Sequence, residues 1–248
     1  MQREVHLSVA RSARSASETR TAQALLLRRV DYGDSDLILT LLTDAQGRIS
    51  ALARGARKSQ KRFGGALEPM HTLGVRYDER AAAELVTLRE AKIVVPRARI
   101  LTSLERLEAA GIALGWVRKA APPRVPEPEV WRELSTLLDQ LSDSADQSEP
   151  QARLAAAGLR LLTAFGWGID LLRCVSCGKL AALNQGAAVD PGRGGLVCQS
   201  CGGARIHLSG KQREALHAVG SGGSLEQDDA RVALRLVEQA LKAHGGIE

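Results

Sequence analysis

Short strand-like stretches dominate the first part of the chain. A continuous apolar run, Ala22–Val30, leads through a polar turn into a second apolar run, Leu37–Leu42. Residues Arg48–Arg54 then alternate apolar and polar positions, which is typical of a strand with one buried face. Thr72–Tyr77 and Glu84–Val95 complete a set of five predicted strands. Because an irregular segment separates the third strand from the fourth, the pattern favours a small Greek-key barrel of the OB type, with an SH3-like barrel as the alternative.

The hydrophobic period changes beyond the predicted strands. Apolar residues recur at helical spacing in three stretches, Leu104–Val117, Trp131–Leu141 and Leu154–Phe165. Each stretch predicts a helix with one buried face, and in the first helix that face includes Leu104 and Leu107. Near the C-terminus, a polar stripe beside apolar positions predicts a further helix. The second part of the chain is therefore predicted to be a helical bundle.

All the cysteines of the chain lie in one segment, as two Cys-x-x-Cys pairs. Cys174 and Cys177 form the first pair, and Cys198 and Cys201 form the second pair after twenty intervening residues. Each pair presents two thiolates from a tight turn, and two such turns can close a tetrahedron around Zn²⁺. A closed site of four cysteines leaves no position for water, so we expect one structural zinc ion. A redox-active pair and two disulfides are the alternatives.

The positive charge of the chain is concentrated near its beginning. The 248 residues contain 34 Lys and Arg against 28 Asp and Glu, a net charge of +6. Residues 1–64 hold 12 basic and 6 acidic residues, a net of +6, whereas residues 65–248 hold 22 of each sign. The whole excess therefore lies in the first quarter of the chain, where it generates a positive potential that attracts polyanions.

The sequence between Asp44 and Glu68 contains no acidic residue but several basic ones. A solvated loop is the plain alternative, but the position between predicted strands favours a binding surface on a rigid scaffold. Contacts from Lys and Arg to phosphates make nucleic-acid binding independent of base sequence and sensitive to salt. The predicted DNA-binding residues are five core candidates and three weaker ones: Arg54, Arg57, Lys58, Lys61 and Arg62, and then Arg28, Arg29 and Arg48.

Aromatic residues are scarce in the predicted barrel, which holds only Tyr32, Phe63 and Tyr77. Proteins that bind single strands by stacking use several exposed rings, each of which contributes about 1–3 kcal/mol per base. We therefore expect stacking to be a small contribution and phosphate contacts to dominate.

These patterns together predict an α+β protein of more than one domain. Residues 1–95 are predicted to form an OB-fold nucleic-acid-binding domain. Residues 96–172 and 207–248 are predicted to form a helical domain, and residues 173–206 a zinc-binding module inserted in it.

The sequence lacks the motifs of several large enzyme classes. It contains no phosphate loop, no dinucleotide-binding Gly-x-Gly-x-x-Gly, no His-Glu-x-x-His and no Gly-x-Ser-x-Gly. No uncharged stretch approaches the roughly 18 residues of a membrane helix, and the first twenty residues lack the apolar block of a secretory signal. We therefore expect a cytoplasmic protein that does not bind membranes and is not an enzyme.

Several stretches resemble the N-terminal signature of the bacterial RecO recombination-mediator family. They are Leu27–Arg29, Tyr32–Leu37, Gly47–Ser50, Arg54–Lys58 and Arg62–Pro69. The stretches Phe165–Trp167 and Arg173–Gly178 are similar to the zinc region of the same family. The resemblance spans most of the chain and agrees with the predicted order of barrel, helices and cysteine pairs.

This resemblance implies a DNA repair and recombination protein without catalytic turnover. Members of the family bind single- and double-stranded DNA and anneal complementary strands. They work with RecR and with the single-strand DNA-binding protein (SSB) to load the RecA recombinase at gaps. The resemblance thus implies a protein of the bacterial nucleoid, with DNA, RecR and SSB as direct partners and RecA as an indirect one.

Two other classes of protein share part of the pattern. A sirtuin-like NAD-dependent deacylase has a similar length and a zinc module of four cysteines, but it needs a Gly-rich dinucleotide loop and a His base, which the sequence lacks. A zinc-ribbon transcription factor would contact nucleic acid through the cysteine-bearing segment. It predicts loss of binding on mutation around Gly192–Gly195, with the N-terminal basic cluster dispensable.

Overall fold

The computed structural model describes residues 17–81, 83–143 and 149–246. Within these residues the chain forms two β-sheets and a set of helices, so the predicted α+β class is confirmed. The predicted N-terminal domain begins at residue 1, and its first sixteen positions lie outside the described residues. Among the described helices, none is both long and apolar enough to cross a lipid bilayer.

Five strands form the first sheet, and each coincides with a predicted strand. They are β1 (Ser17–Tyr32), β2 (Asp36–Thr43), β3 (Gly47–Ala53), β4 (Thr72–Arg80) and β5 (Leu85–Val95). The strand order is β1-β2-β3-β5-β4, and β4 pairs back with β1, so the sheet closes on itself. Closure depends on the length of β1, which pairs with β4 along Ser17–Leu25 and with β2 along Ala24–Tyr32.

Alternation along the strands fills the interior of this barrel with aliphatic side chains. On β2 the inward positions are Leu37, Leu39 and Leu41, which are at most 6% exposed. The connection from β3 to β4 contains the short helix α1 (Gln60–Phe63), whose Phe63 side chain packs into the same apolar cluster. Burial of such a side chain contributes about 1.5–3 kcal/mol. Phe63 therefore anchors the β3–β4 connection to the barrel core.

Five longer helices follow the barrel, and they include all the helices that the sequence predicted. They are α2 (Leu104–Ala120), α3 (Pro128–Ser142), α4 (Pro150–Ala164), α5 (Gly210–Ala218) and α6 (Gln227–Gly245). Short 3-10 helices lie at Ala98–Thr102, Pro191–Arg193, Gln199–Cys201 and Val219–Ser221. Helix α5 was not predicted, although its first turn carries a capping box in which Ser209 and Gln212 satisfy each other's backbone N–H groups.

The predicted buried face of α2 is partly wrong. Leu104 is 69% exposed and Leu107 is 37% exposed, whereas Ala109, Ala110 and Ala113 are at most 2% exposed. The apolar residues of α2 are not confined to one side of the helix, since Ile112 is exposed whereas Leu114 is buried, so the spacing of its larger residues does not indicate which face packs. The small alanine side chains allow close approach of neighbouring elements, and the alanine face is therefore the buried one.

A second, smaller sheet carries the cysteine region. It consists of the short strands β6 (Asp170–Cys174), β7 (Ala187–Asp190), β8 (Gly195–Leu196) and β9 (Ile206–Leu208), in the order β6-β8-β7-β9. The sheet packs with α4, α5 and α6 around a third apolar cluster. Strand β6 begins before residue 173 and strand β9 ends after residue 206, so the sheet extends beyond both ends of the predicted module of residues 173–206.

A buried arginine joins the barrel to the helical half. Arg97 is 3% exposed, and its Nε donates to the Asp139 carboxylate on α3 at 2.7 Å. Its Nη1 donates to Oγ1 of Thr72 at 2.9 Å, and its backbone N–H donates to Nδ1 of His71 at 2.9 Å. One guanidinium thus holds the start of β4 against a helix.

The helices cover only part of the outer surface of the barrel. Leu25, Leu27 and Leu42 point out of the barrel and belong to the apolar core that it shares with the helices. The connection between α2 and α3 lies so close to Gly47 that a Cβ atom there would stand 1.7 Å from the Val125 carbonyl oxygen. Only glycine fits at that position. The other end of this outer surface is left open.

Candidate nucleic-acid interface and metal centre

The predicted core of the DNA-binding surface forms a compact turn after β3. This basic segment, residues 54–62, is fixed by backbone hydrogen bonds to the turn between β1 and β2. The N–H of Gly55 donates to Oδ1 of Asp36 at 2.7 Å, and the N–H of Arg57 donates to the Ser35 carbonyl at 3.0 Å. Gly55 has a φ of 63°, which a side chain would disfavour. The segment is therefore a defined turn on the barrel.

All the cations of the basic segment are exposed. Arg54, Lys58 and Lys61 make no side-chain ion pair within the described part of the chain. Arg57 lies 3.5 Å from Asp31, but both side chains are largely in solvent. Such surface pairs contribute about 0–1 kcal/mol, so a phosphate can replace the carboxylate. The segment thus offers positive charge that the protein itself does not neutralise.

Arg62 has a different environment from the other cations of the basic segment. Its Nη2 donates to the Arg54 carbonyl at 2.8 Å, and its Nε donates to Oγ of Ser59 at 3.1 Å. The guanidinium also lies 5.1 Å from the centroid of the neighbouring Phe63 ring. Arg62 therefore stabilises the turn as well as adding charge to it.

The three weaker candidates lie in three different places. Arg29 pairs with Glu68 and donates to the Leu67 carbonyl, and it lines a cleft of about 370 Å³ together with Arg57. Arg28 is exposed on the outer surface of β1. Arg48 is half-buried at the junction with the helices, where its Nε donates to the Ala121 carbonyl at 2.7 Å. Only Arg29 is thus placed beside the basic segment, and Arg48 ties the barrel to the helical half.

The four cysteine sulfur atoms come together at one point. Cys174 ends β6, Cys177 follows it in a tight turn, and Cys198 and Cys201 flank a 3-10 turn after β8. All four Sγ atoms lie within 4.8 Å of one another, and those of Cys177 and Cys198 are 3.8 Å apart. None of the four forms a disulfide. The region 170–208 therefore brings both predicted pairs into one cluster.

The geometry of this cluster fits a tetrahedral metal ion. With Zn–S bonds of about 2.3 Å, the edges of an S₄ tetrahedron are roughly 3.8 Å, which agrees with the distance between Cys177 and Cys198. The backbone N–H of Cys198 donates to Sγ of Cys174 at 3.4 Å and, with neighbouring N–H groups, lowers the pKa of Cys174 to about 5. Side-chain hydrogen bonds to the other sulfur atoms, Cys198 first, raise the pKa of Cys201 to about 12. A divalent cation bound to all four sulfur atoms would favour their thiolate form.

Glycines shape the turn that follows each cysteine pair. Gly178 has a φ of 73°, and its N–H donates to the Cys174 carbonyl at 2.8 Å. Gly202 has a φ of 98° and ends the 3-10 turn that holds Cys198 and Cys201. Since side chains are strained in this left-handed region, glycine is the residue that closes both turns.

A buried arginine that the sequence did not single out holds the base of the first cysteine turn. Arg213 on α5 is 0% exposed, and its Nη2 donates to the Leu171 carbonyl at 2.6 Å. Its Nη1 donates at 2.6 Å to the carbonyls of both Ala182 and Gln185. Burial lowers the pKa of this guanidinium. Arg213 thus joins the segment before the first cysteine pair, at Leu171, to the segment after it, at Ala182 and Gln185.

The chain is similar to known proteins along nearly its whole length. The family model described as "Recombination protein O N terminal" matches residues 17–97, and the one described as "Recombination protein O C terminal" matches residues 101–248. A DNA repair protein RecO from Geobacter metallireducens is 34% identical over 239 residues, which are 92% of this chain and 93% of the relative. A second, from Geobacter sulfurreducens, is 36% identical over 81% of this chain and 80% of its own length. A third, from an Anaeromyxobacter species (strain K), is 38% identical over 71% of this chain and 68% of its own length.

Proposed function

Because this chain belongs to the RecO family of DNA repair proteins, we propose that it binds single- and double-stranded DNA without reading base sequence and anneals complementary strands. In this proposal it then loads RecA, together with RecR, on DNA that is coated with SSB. The family places the protein in DNA repair and recombination. Neither the deacylase nor the zinc-ribbon alternative finds support in the family matches.

The observation that carries the DNA-binding proposal is the exposed basic segment. Arg54, Lys58 and Lys61 are free of carboxylate partners among the described residues, and hydrogen bonds hold the segment on the closed five-stranded sheet. Phosphate groups are the complementary ligands, and each one neutralised releases bound counterions from the nucleic acid. Since phosphates are the same at every nucleotide, such binding is independent of sequence.

Annealing follows from the same charge. Two DNA strands repel each other, and a cationic surface that holds both lowers that repulsion and raises their local concentration. Contacts to phosphates leave the pairing edges of the bases free to meet. The protein needs no catalytic group for this process, and we propose that it acts in the bacterial cytoplasm at the nucleoid without chemical turnover.

We propose that the four cysteines hold one structural Zn²⁺. Cys174, Cys177, Cys198 and Cys201 supply four sulfur ligands, and the distances between them agree with zinc–thiolate geometry. Zinc would supply a fixed cross-link between two turns in a part of the chain where the strands are short. Such a site stabilises the fold and leaves DNA binding to the barrel.

The test is a salt titration of DNA affinity on two variants of equal charge. The first variant combines Arg57→Glu, Lys58→Glu and Lys61→Glu in the basic segment. The matched control combines Arg231→Glu, Arg235→Glu and Lys242→Glu, which are exposed positions of α6. If five phosphates are engaged, the slope of log affinity against log salt should be about −3.5 for single strands and about −4.5 for duplex in the wild type.

The first variant should lose at least tenfold in affinity and reduce the magnitude of both slopes by about 2 to 3. The control should keep most of its affinity, because none of its reversed charges belongs to the basic segment. Equal losses in the two variants would mean that net charge governs binding. A wild-type slope near −1 would remove phosphate contacts as the main source of affinity. Melting curves of both variants show whether they fold.

A further inference from the structure

The outer surface of the barrel has an uncovered part on β1, β2 and β3. On β2 the alternate positions Leu37, Leu39 and Leu41 fill the barrel, so Ile38 and Thr40 between them point outward. Their register partners share this orientation. Val30 on β1 and Leu52 on β3 flank Ile38 directly on its two sides. Three aliphatic side chains therefore form one row across three strands.

This row is open to solvent in the described part of the chain. Val30 is 40% exposed, and Ile38 and Leu52 are half-buried. The helices cover only the other end of the same surface, where Leu25 and Leu42 are buried. An aliphatic row on the solvent side of a sheet is unusual for a monomeric surface, which favours polar residues at such positions.

Tyr32 extends the row at its open end. Of the seven aromatic residues of the chain, all of which are described, Tyr32 is the only one that is more than half exposed, at 55%. The other two aromatic residues of the barrel, Phe63 and Tyr77, are at most 2% exposed. Tyr32 is the register partner of Asp36 and therefore lies on the same outer side as Val30. It is thus an exposed ring with no structural role in the barrel core.

Charge at both edges indicates what this surface binds. Arg28 precedes Val30 by two residues on β1, so strand alternation places it on the outer side. Arg54 directly follows the end of β3 and opens the basic segment. Both are exposed, and neither has an ion-pair partner among the residues described. An apolar strip with one exposed ring between two arginines is complementary to unpaired bases with phosphates on either side.

The strip is also continuous with the basic segment. The turn that follows Tyr32 accepts the N–H of Arg57 through the Ser35 carbonyl and the N–H of Gly55 through Asp36. Arg54 belongs to both surfaces. A strand whose phosphates lie on the basic segment can therefore place its bases on the neighbouring strip without crossing a covered part of the barrel.

We propose that this strip is a base-binding subsite for single-stranded nucleic acid, with Tyr32 as its stacking residue. This inference rests on the proposed DNA-binding function and adds a second component to it. Tyr32 stacks on one unpaired base, Val30, Ile38 and Leu52 contact neighbouring bases or sugars, and Arg28 and Arg54 contact phosphates. Bases within a duplex are already stacked and turned inward, so the strip distinguishes single strands from duplex while the basic segment binds both.

The test uses Tyr32→Leu, which keeps an apolar side chain but removes the ring, and Tyr32→Phe, which keeps the ring. Affinity is measured for a labelled oligothymidine, for an abasic oligonucleotide of the same length, and for a duplex. Tyr32→Leu should weaken binding of oligothymidine by about 5- to 150-fold, the range that one stacked base gives, and change duplex binding by less than about twofold. Tyr32→Phe should bind all three substrates like the wild type.

The abasic strand supplies the decisive comparison. If the ring stacks on a base, the losses of affinity from removing the ring and from removing the bases are not additive. Tyr32→Leu and the wild type should therefore bind the abasic strand with the same affinity. Equal losses of Tyr32→Leu on oligothymidine and duplex would overturn the proposal, and so would unchanged binding to oligothymidine. Neither result would contradict the proposed role of the basic segment. That role is tested separately, because its charge-reversal variant should lose affinity for both single strands and duplex.

Discussion

The barrel and the cysteine region use their charged groups in opposite ways. In the barrel a closed sheet of long strands provides the stability, and the cations of residues 54–62 are exposed at the surface. In region 170–208 the strands have only two to five residues, and polar groups help to hold the chain together. Arg213, a buried arginine on α5, binds carbonyl groups of this region, and the sulfur cluster joins two of its turns. The comparison teaches that a large sheet leaves charge available for binding, whereas a small one uses charge to fold.

Loss of a cysteine ligand should have the largest effect and should remain local. We expect Cys201→Ser to remove the bound metal and unfold region 170–208, because structural zinc supplies about 10–16 kcal/mol of apparent binding free energy in small zinc-binding peptides. The barrel has its own core and should stay folded. Metal analysis, with hydrogen exchange of the two regions, measures the effect. The control is Ser176→Ala, which lies between the first two cysteines and supplies no ligand to the cluster.

DNA binding in the same preparation sharpens the comparison. If the barrel alone carries the interface, Cys201→Ser should keep most of its affinity for duplex after the metal is gone. A loss as large as that of the triple charge reversal would show that the two regions do not have separate roles.

Replacement of Arg213 should have the next largest effect. Arg213→Leu removes the donors for the carbonyls of Leu171, Ala182 and Gln185, and each buried carbonyl left without a donor costs about 1–3 kcal/mol. Arg213→Lys keeps the charge but lacks the planar fork, so we expect an intermediate loss. Urea unfolding measures the free energy of unfolding, and the rate of zinc transfer to a chelator measures how tightly the site retains the metal. Arg231→Leu, an exposed arginine of α6 paired with Asp228, should change either quantity little.

An unchanged rate of metal transfer in Arg213→Leu would contradict this reasoning even if global stability fell. It would show that Arg213 supports the apolar cluster beneath the sheet and does not hold the cysteine turns.

Much of the fold could be predicted from the sequence because burial imposes a period. The barrel strands alternate, and the pairs Cys174–Cys177 and Cys198–Cys201 have a spacing that indicates metal binding on its own. The three structural arginines could not be predicted in the same way. Arg48, Arg97 and Arg213 look like surface residues in the sequence, because only the fold shows which carbonyls lie around a guanidinium. The prediction of the buried face of α2 was partly wrong for a related reason, since a helix with apolar residues on several sides gives no preferred side.

Tyr32 is a second example of a feature of the barrel surface that the sequence pattern alone could not predict. Its position at a turn signal indicated the end of a strand, but the row that it extends requires the register of three strands. Val30, Ile38 and Leu52 are far apart in the sequence and adjacent only after β1, β2 and β3 pair. Such non-local neighbours are invisible to pattern analysis, so a count of aromatic residues does not show where an exposed ring lies on the barrel.

The smallest effect should come from pH at the junction between the barrel and the helical half, where His71 contacts Arg97. Burial, assisted by the positive charge of Arg97 and opposed by Glu68, lowers the pKa of His71 below its usual 6.5. The ring must be neutral at Nδ1 to accept the N–H of Arg97 at 2.9 Å. In the unfolded chain His71 regains its ordinary pKa, so the unfolded state binds more protons between the two pKa values. The contribution of His71 to the free energy of unfolding is therefore fully present above pH 6.5, and it is lost as the pH falls below that value.

His71→Asn isolates this contribution, because the amide oxygen can accept the same N–H without titrating. Cysteine protonation and metal loss also lower stability in acid, but they occur equally in both proteins and cancel in the difference. We expect the wild type to lose more stability than His71→Asn between pH 7.5 and pH 5.5 in urea unfolding, with a difference smaller than the effects of Cys201→Ser and Arg213→Leu. Parallel pH profiles would show that protonation of His71 does not contribute to the acid sensitivity of the protein.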